Sequence, residues 1–188
     1  MSLIPEFKIG IWNAWIFMSI FLLQMLVMIF AGKRIRKRSH VSQDARRDNF
    51  EKNISIAGNL VWLSALVYSV FLPFKTGTLW FYAGFLLFII GLIIMTVATY
   101  DFITTPVDLM IKKGSYKFSR HPMYLATFFI CLGAGIAALS WLFMLISLIM
   151  VYCFHQEALI EERYCLKKYS DYREYMNRVP RWLGLPKT

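Results

Sequence analysis

Four long apolar segments divide the chain, and charged residues are concentrated between and after them. The first three cover residues 9–31, 56–73 and 79–100. Since a bilayer core about 30 Å thick is crossed by about 20 helical residues, each of these segments is long enough to cross once. The fourth segment, 122–154, has no charged residue over 33 positions and is too long for a single crossing. The pattern therefore predicts an all-α, polytopic integral membrane protein.

The fourth segment contains small and polar residues near its middle, among them Gly133 and Ser140. We predict that it forms a tight hairpin of two short membrane helices, which turns between these two residues and brings the number of transmembrane helices to five. The alternative is one very long, tilted helix. In the hairpin arrangement the whole chain, 1–188, is one membrane domain, with three spans in 1–100 and the hairpin and most polar chemistry in 101–188.

Basic residues lie mainly on one side of this five-span arrangement. The chain is 58% hydrophobic and carries a formal net charge of +10, which together exclude an ordinary soluble globule, a disordered chain and a soluble nucleic-acid binder. Of the 21 Lys and Arg residues, 19 fall in two loops, 32–55 and 101–121, or in the C-terminal tail. The other two are Lys8 and Lys75. Because basic loops stay cytosolic, we predict an external N-terminus and a cytosolic C-terminus.

One cluster of polar residues, 114–124, leads directly into the fourth apolar segment. Pro122 suits the first turn of a helix, where its missing N–H costs nothing. The free N–H groups of that helix start, together with Arg120 and His121, would form a site for an anionic or polar ligand. The alternative is an interfacial loop of basic and aromatic residues without a binding role.

A second cluster consists of three glutamates just after the fourth apolar segment, Glu157, Glu161 and Glu162. Apolar and aromatic residues recur at helical spacing over 155–177, so we predict a C-terminal amphipathic cytosolic helix there. On that helix Glu161 and Glu162 have no basic residue three or four positions away, so local ion pairs do not explain them. They are either solvated at the cytosolic surface or paired with a more distant cation. Candidate partners are Arg120, His121, Arg178 or the ammonium group of a ligand.

Four motifs follow one another over residues 100–181. They are Gly114-x-Tyr116, Arg120-His121-Pro122-x-Tyr124, Glu161-Glu162 after an apolar hairpin, and Tyr172-x-x-Tyr175-x-x-Arg178-Val179-Pro180. In this order they resemble the motifs of the isoprenylcysteine carboxyl methyltransferase family, whose wider group includes the membrane phospholipid N-methyltransferases.

The resemblance implies S-adenosylmethionine as cofactor and S-adenosylhomocysteine as product, bound at the cytosolic side by the last helices. The chain agrees in having no Gly-x-Gly-x-x-Gly motif of a soluble dinucleotide-binding domain. We assign no catalytic base and expect no metal site. The chain departs from the family at Glu157, where isoprenylcysteine enzymes usually have an arginine linked to the substrate. The cofactor-binding residues carried over from the family are Asp108, Leu109, Met110, Ile111, Tyr116, His121, Pro122, Met123, Tyr124 and Glu161.

The implied methyl acceptor is a membrane lipid or a lipidated molecule with an isoprenylcysteine-like carboxylate, which would enter from the bilayer. Two alternatives remain open. Membrane sterol reductases share an acidic pair, a cysteine, Lys168-Tyr169 and Val179-Pro180 of the tail pattern, which implies NADPH and reduction of a lipid double bond. A non-catalytic membrane partner protein would bind neither cofactor.

Overall fold

The computed structural model describes residues 7–30, 48–106 and 108–186. Six α-helices and one turn of 3-10 helix lie in these ranges, which confirms the all-α prediction for this part of the chain. Much of the basic loop 32–55 lies outside the described residues. The 3-10 turn, Gly114–Lys117, stands between the third and fourth helices. The α-helices are α1 (Trp15–Phe30), α2 (Asn49–Ser69), α3 (Leu79–Thr104), α4 (Pro122–Ala137), α5 (Trp141–Lys168) and α6 (Tyr172–Arg178).

Short local sequences set where several helices begin. At the start of α2, Asp48 accepts a hydrogen bond from the N–H of Glu51, and the N–H of Asp48 donates to the Glu51 carboxylate, which forms a capping box. Thr78 caps α3 by accepting a hydrogen bond from the N–H of Phe81. Pro122 is the first residue of α4, as predicted. Residues next to each helix therefore fix these three starts.

The fourth apolar segment folds as the predicted hairpin and not as one long helix. Three residues separate α4 from α5. Among them, Leu139 has a φ of 52°, a left-handed conformation that reverses the chain. Ser140 then caps α5 by accepting a hydrogen bond from the N–H of Phe143 at 3.2 Å. The hairpin brings His121, at the start of α4, beside the second half of α5.

Small residues allow α3 and α4 to pack at very short range. A Cβ added at Gly133 would lie 2.7 Å from the backbone oxygen of Gly84. One added at Gly91 would lie 2.9 Å from the backbone nitrogen of Ile130. These glycines can therefore carry no side chain unless the two helices move apart, as is typical of close helix packing in membranes.

Two of the described helices, α3 and α5, are long and apolar enough to cross a membrane. They have 26 and 28 residues, respectively. The apolar part of α1, Trp15–Val27, and the 16-residue α4 are shorter than a usual span of about 20 residues. The described helices therefore support a membrane location, and the five-span arrangement stays a prediction.

The bounds predicted for a C-terminal amphipathic helix, 155–177, are wrong. Helix α5 continues from its apolar half to Lys168, and α6 is a separate helix of seven residues. No Pro or Gly stands between Phe154 and the glutamates, so no residue ends the helix there. It ends instead just before Ser170-Asp171, residue types that favour turns. All three glutamates therefore project from the same continuous helix as the apolar segment.

Candidate functional site

A cavity of about 270 Å³ lies where α3 ends, α4 begins and the second half of α5 meets α6. Its walls are largely aromatic, with a few charged groups, which is the usual form of a small-molecule site. Six lining residues are tyrosines: Tyr116, Tyr124, Tyr164, Tyr169, Tyr172 and Tyr175. The others are Phe102, Met110, Ile111, Arg120, His121, Met123, Glu161, Cys165 and Lys168.

The 3-10 turn between α3 and α4 brings Tyr116 to the cavity, and Asp101 holds that turn in place. The buried Asp101 carboxylate accepts hydrogen bonds from the N–H and the hydroxyl of Ser115, at 2.9 and 3.0 Å. Gly114 has a φ of 56° and lies directly against this carboxylate. The hydroxyl of Tyr175 donates to the backbone oxygen of Tyr116 at 2.7 Å, which ties α6 to the turn. The Gly-x-Tyr motif thus needs glycine for both its conformation and its close approach to Asp101.

Replacing Gly114 by alanine should destabilise the protein more than the same change at Gly77. Both glycines have a positive φ, 56° and 78°, and this conformation costs a residue with a Cβ about 1–2 kcal/mol. A Cβ at Gly77 meets nothing within 4 Å, whereas one at Gly114 would overlap the Asp101 carboxylate. Because that side chain can move, we expect an additional loss of about 1 kcal/mol, the low end for overpacking. The unfolding free energies of both variants are measured in detergent solution. Equal losses of stability would contradict the role of the Asp101 contact.

Glu162 is the centre of a buried ion-pair network, and its side chain is only 4% exposed. Arg181 donates to both Glu162 oxygens, at 2.9 and 2.8 Å. The Nη2 atom of Arg120 lies 3.1 Å from Oε1 of Glu162, and its Nη1 donates to the backbone oxygen of Met176 at 3.0 Å. Since a buried charge is tolerated only when it is paired, this carboxylate links α5 to the start of α4 and to the C-terminal tail.

His121 lies between the two adjacent glutamates. Its Nε2 is 3.2 Å from Oε1 of Glu162, and its Nδ1 is 3.4 Å from Oε2 of Glu161. Burial by itself lowers the pKa of His121, but its hydrogen bonds with Glu161 and Glu162 and their charges outweigh burial and raise the pKa above 6.5. The stabilisation that the charged ring provides is fully present below pH 6.5 and is lost as the pH rises through the raised pKa.

Glu161 differs from Glu162 because it faces the cavity. Its side chain is 30% exposed, and its Oε1 accepts a hydrogen bond from the Tyr124 hydroxyl at 2.8 Å. The ring of Tyr124 stacks on that of His121, with centroids 5.5 Å apart. A carboxylate held in this way at a cavity wall can form a charge-assisted hydrogen bond with a cationic group of a ligand.

The structure confirms Arg120 and His121 among the predicted partners of the glutamates. Arg178 forms an exposed ion pair within α6 instead. The third partner of Glu162 is Arg181, which sequence reasoning missed because it follows the end of α6, where helical spacing no longer identifies neighbours. The solvated-surface alternative is wrong for Glu162, which is buried.

Comparison with known proteins connects this site to an enzyme family. The sequence profile of the phospholipid methyltransferase family matches residues 78–172, slightly more than half of the chain. The chain belongs to this family. It is also similar to the protein-S-isoprenylcysteine O-methyltransferase of Saccharomyces cerevisiae, with 32% identity over 80 residues, 42% of this chain. That match spans only 33% of the Saccharomyces protein. Together these matches confirm the resemblance read from the motifs.

In this phospholipid methyltransferase family member, most of the predicted cofactor residues lie on the cavity wall. Asp108 and Leu109 are exposed and Pro122 is buried in the first turn of α4, and these three do not line the cavity. That these ten residues bind a cofactor stays a prediction. The seven on the wall are Met110, Ile111, Tyr116, His121, Met123, Tyr124 and Glu161.

Sequence reasoning missed other wall residues, among them Phe102, Tyr164 and Lys168. Tyr164 follows Glu161 by three positions and Lys168 follows Tyr164 by four. Both lie within the helix predicted over 155–177, so helical spacing from Glu161 would have identified them. Phe102 comes from α3 and is distant in sequence, so no local pattern points to it.

Glu157, where the chain departs from the isoprenylcysteine enzymes, does not line the cavity. Its carboxylate accepts a hydrogen bond from the hydroxyl of Ser55 in α2. Glu157 therefore links α5 to α2.

Proposed function

We propose that the chain is an integral membrane methyltransferase that takes a methyl group from S-adenosylmethionine and transfers it to a lipid or a lipidated molecule of the bilayer. The observation that carries this proposal is the position of Glu161. It is a partly exposed carboxylate on an aromatic cavity wall, within the segment that matches the phospholipid methyltransferase family.

The cavity residues fit the chemical groups of this cofactor. Its ammonium group would bind Glu161, which faces the cavity. Its carboxylate would bind the guanidinium of Arg120, which also lines the cavity. The sulfonium is positively charged, and the faces of the surrounding tyrosines attract cations. S-adenosylhomocysteine keeps the ammonium and carboxylate groups, so it is a suitable binding probe.

The contribution of the protein to the reaction is binding and orientation. When bound, S-adenosylmethionine supplies a methyl group attached to a positively charged sulfur, and this sulfur becomes a neutral thioether when the methyl group is transferred. Glu161, Tyr124 and His121 would fix one end of the bound molecule, while the aromatic walls exclude water from it. Because methyl transfer needs the acceptor atom, the methyl carbon and the sulfur in line, positioning supplies much of the rate enhancement. A carboxylate acceptor needs no base, whereas an amine acceptor must first be neutral. Because the two kinds of acceptor differ in this need, we assign no catalytic base.

The position of the cavity supports a membrane-embedded acceptor. The cavity lies at the C-terminal end of α3 and beside the second half of α5. These are the two described helices that are long enough to span a bilayer. We propose that the N-terminus is external and that the cavity and the C-terminus face the cytosol, in keeping with the positions of the basic residues. The acceptor would then enter from the bilayer and the cofactor from the cytosol. Glu157 gives no support for a prenylcysteine carboxylate, so we propose the broader class of lipid acceptors.

Binding and transfer measurements on the purified protein test this function. We expect saturable binding of S-adenosylhomocysteine and no comparable binding of NADPH; the reverse result would favour the reductase alternative. Labelled S-adenosylmethionine should then be supplied with native lipid extract, with a farnesylated cysteine analogue, and with soluble thiols and amines. Transfer to the soluble acceptors alone would overturn the proposed acceptor class.

Replacing Glu161 by glutamine should weaken the binding of S-adenosylhomocysteine by about 1.5–3 kcal/mol, the usual contribution of a hydrogen bond to a charged group. This corresponds to a dissociation constant that is roughly 10 to 150 times larger. The matched control is Glu157→Gln, one turn earlier on the same helix and outside the cavity wall. We expect that control to bind nearly as well as the unchanged protein. Equal affinities of both variants for S-adenosylhomocysteine would show that Glu161 does not contribute to binding.

A further inference from the structure

Residues 179–186, which we call the C-terminal strap, run back from α6 against the loop that precedes α4. Two backbone hydrogen bonds hold the strap there. The N–H of Arg120 donates to the oxygen of Pro180 at 3.0 Å, and the N–H of Gly184 donates to the oxygen of Phe118 at 3.1 Å. The part of the strap between these two bonds is therefore fixed relative to the start of α4.

Arg181 stands in this fixed part and reaches Glu162 without lining the cavity. Its Nε and Nη2 donate to the two oxygens of Glu162, at 2.9 and 2.8 Å. Such a two-point contact with a planar guanidinium sets the plane of the carboxylate, which a single ammonium group cannot do.

The orientation of Glu162 in turn determines which hydrogen bonds His121 can form. Both ring nitrogens of His121 face carboxylate oxygens, of Glu162 on one side and Glu161 on the other. A neutral imidazole has one N–H, so a lone pair would face one of the carboxylates, whereas an imidazolium donates to both. The charged and titratable groups around His121 are Glu161 and Glu162 from α5, Tyr124 from α4, Arg120 from the preceding loop and Arg181 from the strap.

We propose that Arg181 is a positioning residue, which holds the Glu162 carboxylate so that His121 stays charged and directs its Nδ1–H at Glu161. Glu161 is the carboxylate that faces the cavity, so a residue of the strap controls a binding group that it does not touch. The consequence for cofactor affinity rests on the proposed function, whereas the effect on His121 does not.

The variant Arg181→Lys separates positioning from charge. It keeps one positive charge beside Glu162 but loses the two-point contact. Simple removal of a positive neighbour would raise the pKa of His121, but this variant does not remove the charge. A fall in the pKa of His121 would therefore report that Glu162 has lost its orientation. The matched control is Arg178→Lys, since Arg178 forms only an exposed ion pair within α6.

Titration of the histidine rings by NMR, in the ligand-free protein, provides the measurement. The chain has three histidines, and the His121 signal is assigned by its absence in His121→Gln. We expect His121 to titrate above 6.5 in the unchanged protein and in Arg178→Lys, and closer to 6.5 in Arg181→Lys. We also expect Arg181→Lys to bind S-adenosylhomocysteine about tenfold less tightly, the loss of roughly one charged hydrogen bond.

The outcomes of this experiment are distinct. An unchanged His121 titration in a folded Arg181→Lys protein overturns the positioning role. A His121 that titrates below 6.5 in the unchanged protein also overturns it, and that measurement decides the matter even if Arg181→Lys does not fold. If the unchanged protein does not bind S-adenosylhomocysteine, the proposed function fails, while the titrations still test Arg181.

Discussion

A protein with glutamine in place of Glu162 should lose about 3–5 kcal/mol of unfolding free energy, the usual cost of removing one partner from a buried ion pair. Glutamine has nearly the same shape but no charge. It would leave Arg120 and Arg181 without the carboxylate that pairs with both of them, and His121 with Glu161 as its remaining carboxylate neighbour. The side chain of Arg120 is 8% exposed, so water cannot compensate it well. The start of α4, the second half of α5 and the C-terminal strap should therefore separate more easily.

Thermal or chemical unfolding in detergent measures this loss, and limited proteolysis of the strap shows where it arises. The matched control is Glu174→Gln, which removes the exposed ion pair with Arg178. Exposed pairs contribute about 0–1 kcal/mol, so this control should change stability little. A Glu162→Gln protein that is as stable as the control would show that the network does not hold the strap.

The two adjacent glutamates have different roles because neighbouring residues on an α-helix point about 100° apart. Glu161 faces the cavity and accepts from Tyr124, while Glu162 faces the strap and is enclosed by arginines. The pair in the motif thus combines a carboxylate that lines the cavity with one that is buried in an ion-pair network. His121 contacts both glutamates. The buried ion-pair network around Glu162 is therefore connected to the carboxylate at the cavity wall.

The hairpin could be predicted from sequence because it depends on the length of one segment and on a helix cap within it. A charge-free segment of 33 residues exceeds a bilayer crossing, and Ser140 is a good helix cap. The motif cluster around His121 could also be found, since basic and aromatic side chains stand directly before Pro122. Membrane thickness and helix capping are sufficient for the hairpin, and the position of Pro122 marks the helix start beside His121.

The arrangement within the site could not be predicted in the same way, because it depends on contacts between distant residues. Glu162 and Arg181 are separated by the turn after α5 and the end of α6, so helical spacing does not relate them. Phe102 reaches the cavity from α3 through the packing of α3 on α4. The extension of α5 to Lys168 was missed because the polar residues after Phe154 were taken as a new element, although no helix-breaking residue separates them.

Alanine in place of Gly84 should destabilise the protein by about 3 kcal/mol, the upper part of the range for overpacking. A Cβ at this position would overlap the backbone of α4 at Gly133 and Ala137. Backbone atoms of a helix cannot give way as a flexible side chain can, so α3 and α4 would have to separate along this contact. That movement would also displace the start of α4, where His121 approaches the cavity.

The matched control for this change is Gly58→Ala in α2. A Cβ at Gly58 would lie 3.4 Å from Cβ of Cys153, an ordinary contact. Since alanine is a better helix former than glycine, this control should be neutral or should stabilise the protein by up to about 1 kcal/mol. Unfolding of both variants in the same detergent gives the comparison. The close packing of α3 on α4 predicts effects of opposite sign or very different size, and a Gly84→Ala protein as stable as Gly58→Ala would mean that the two helices stand further apart.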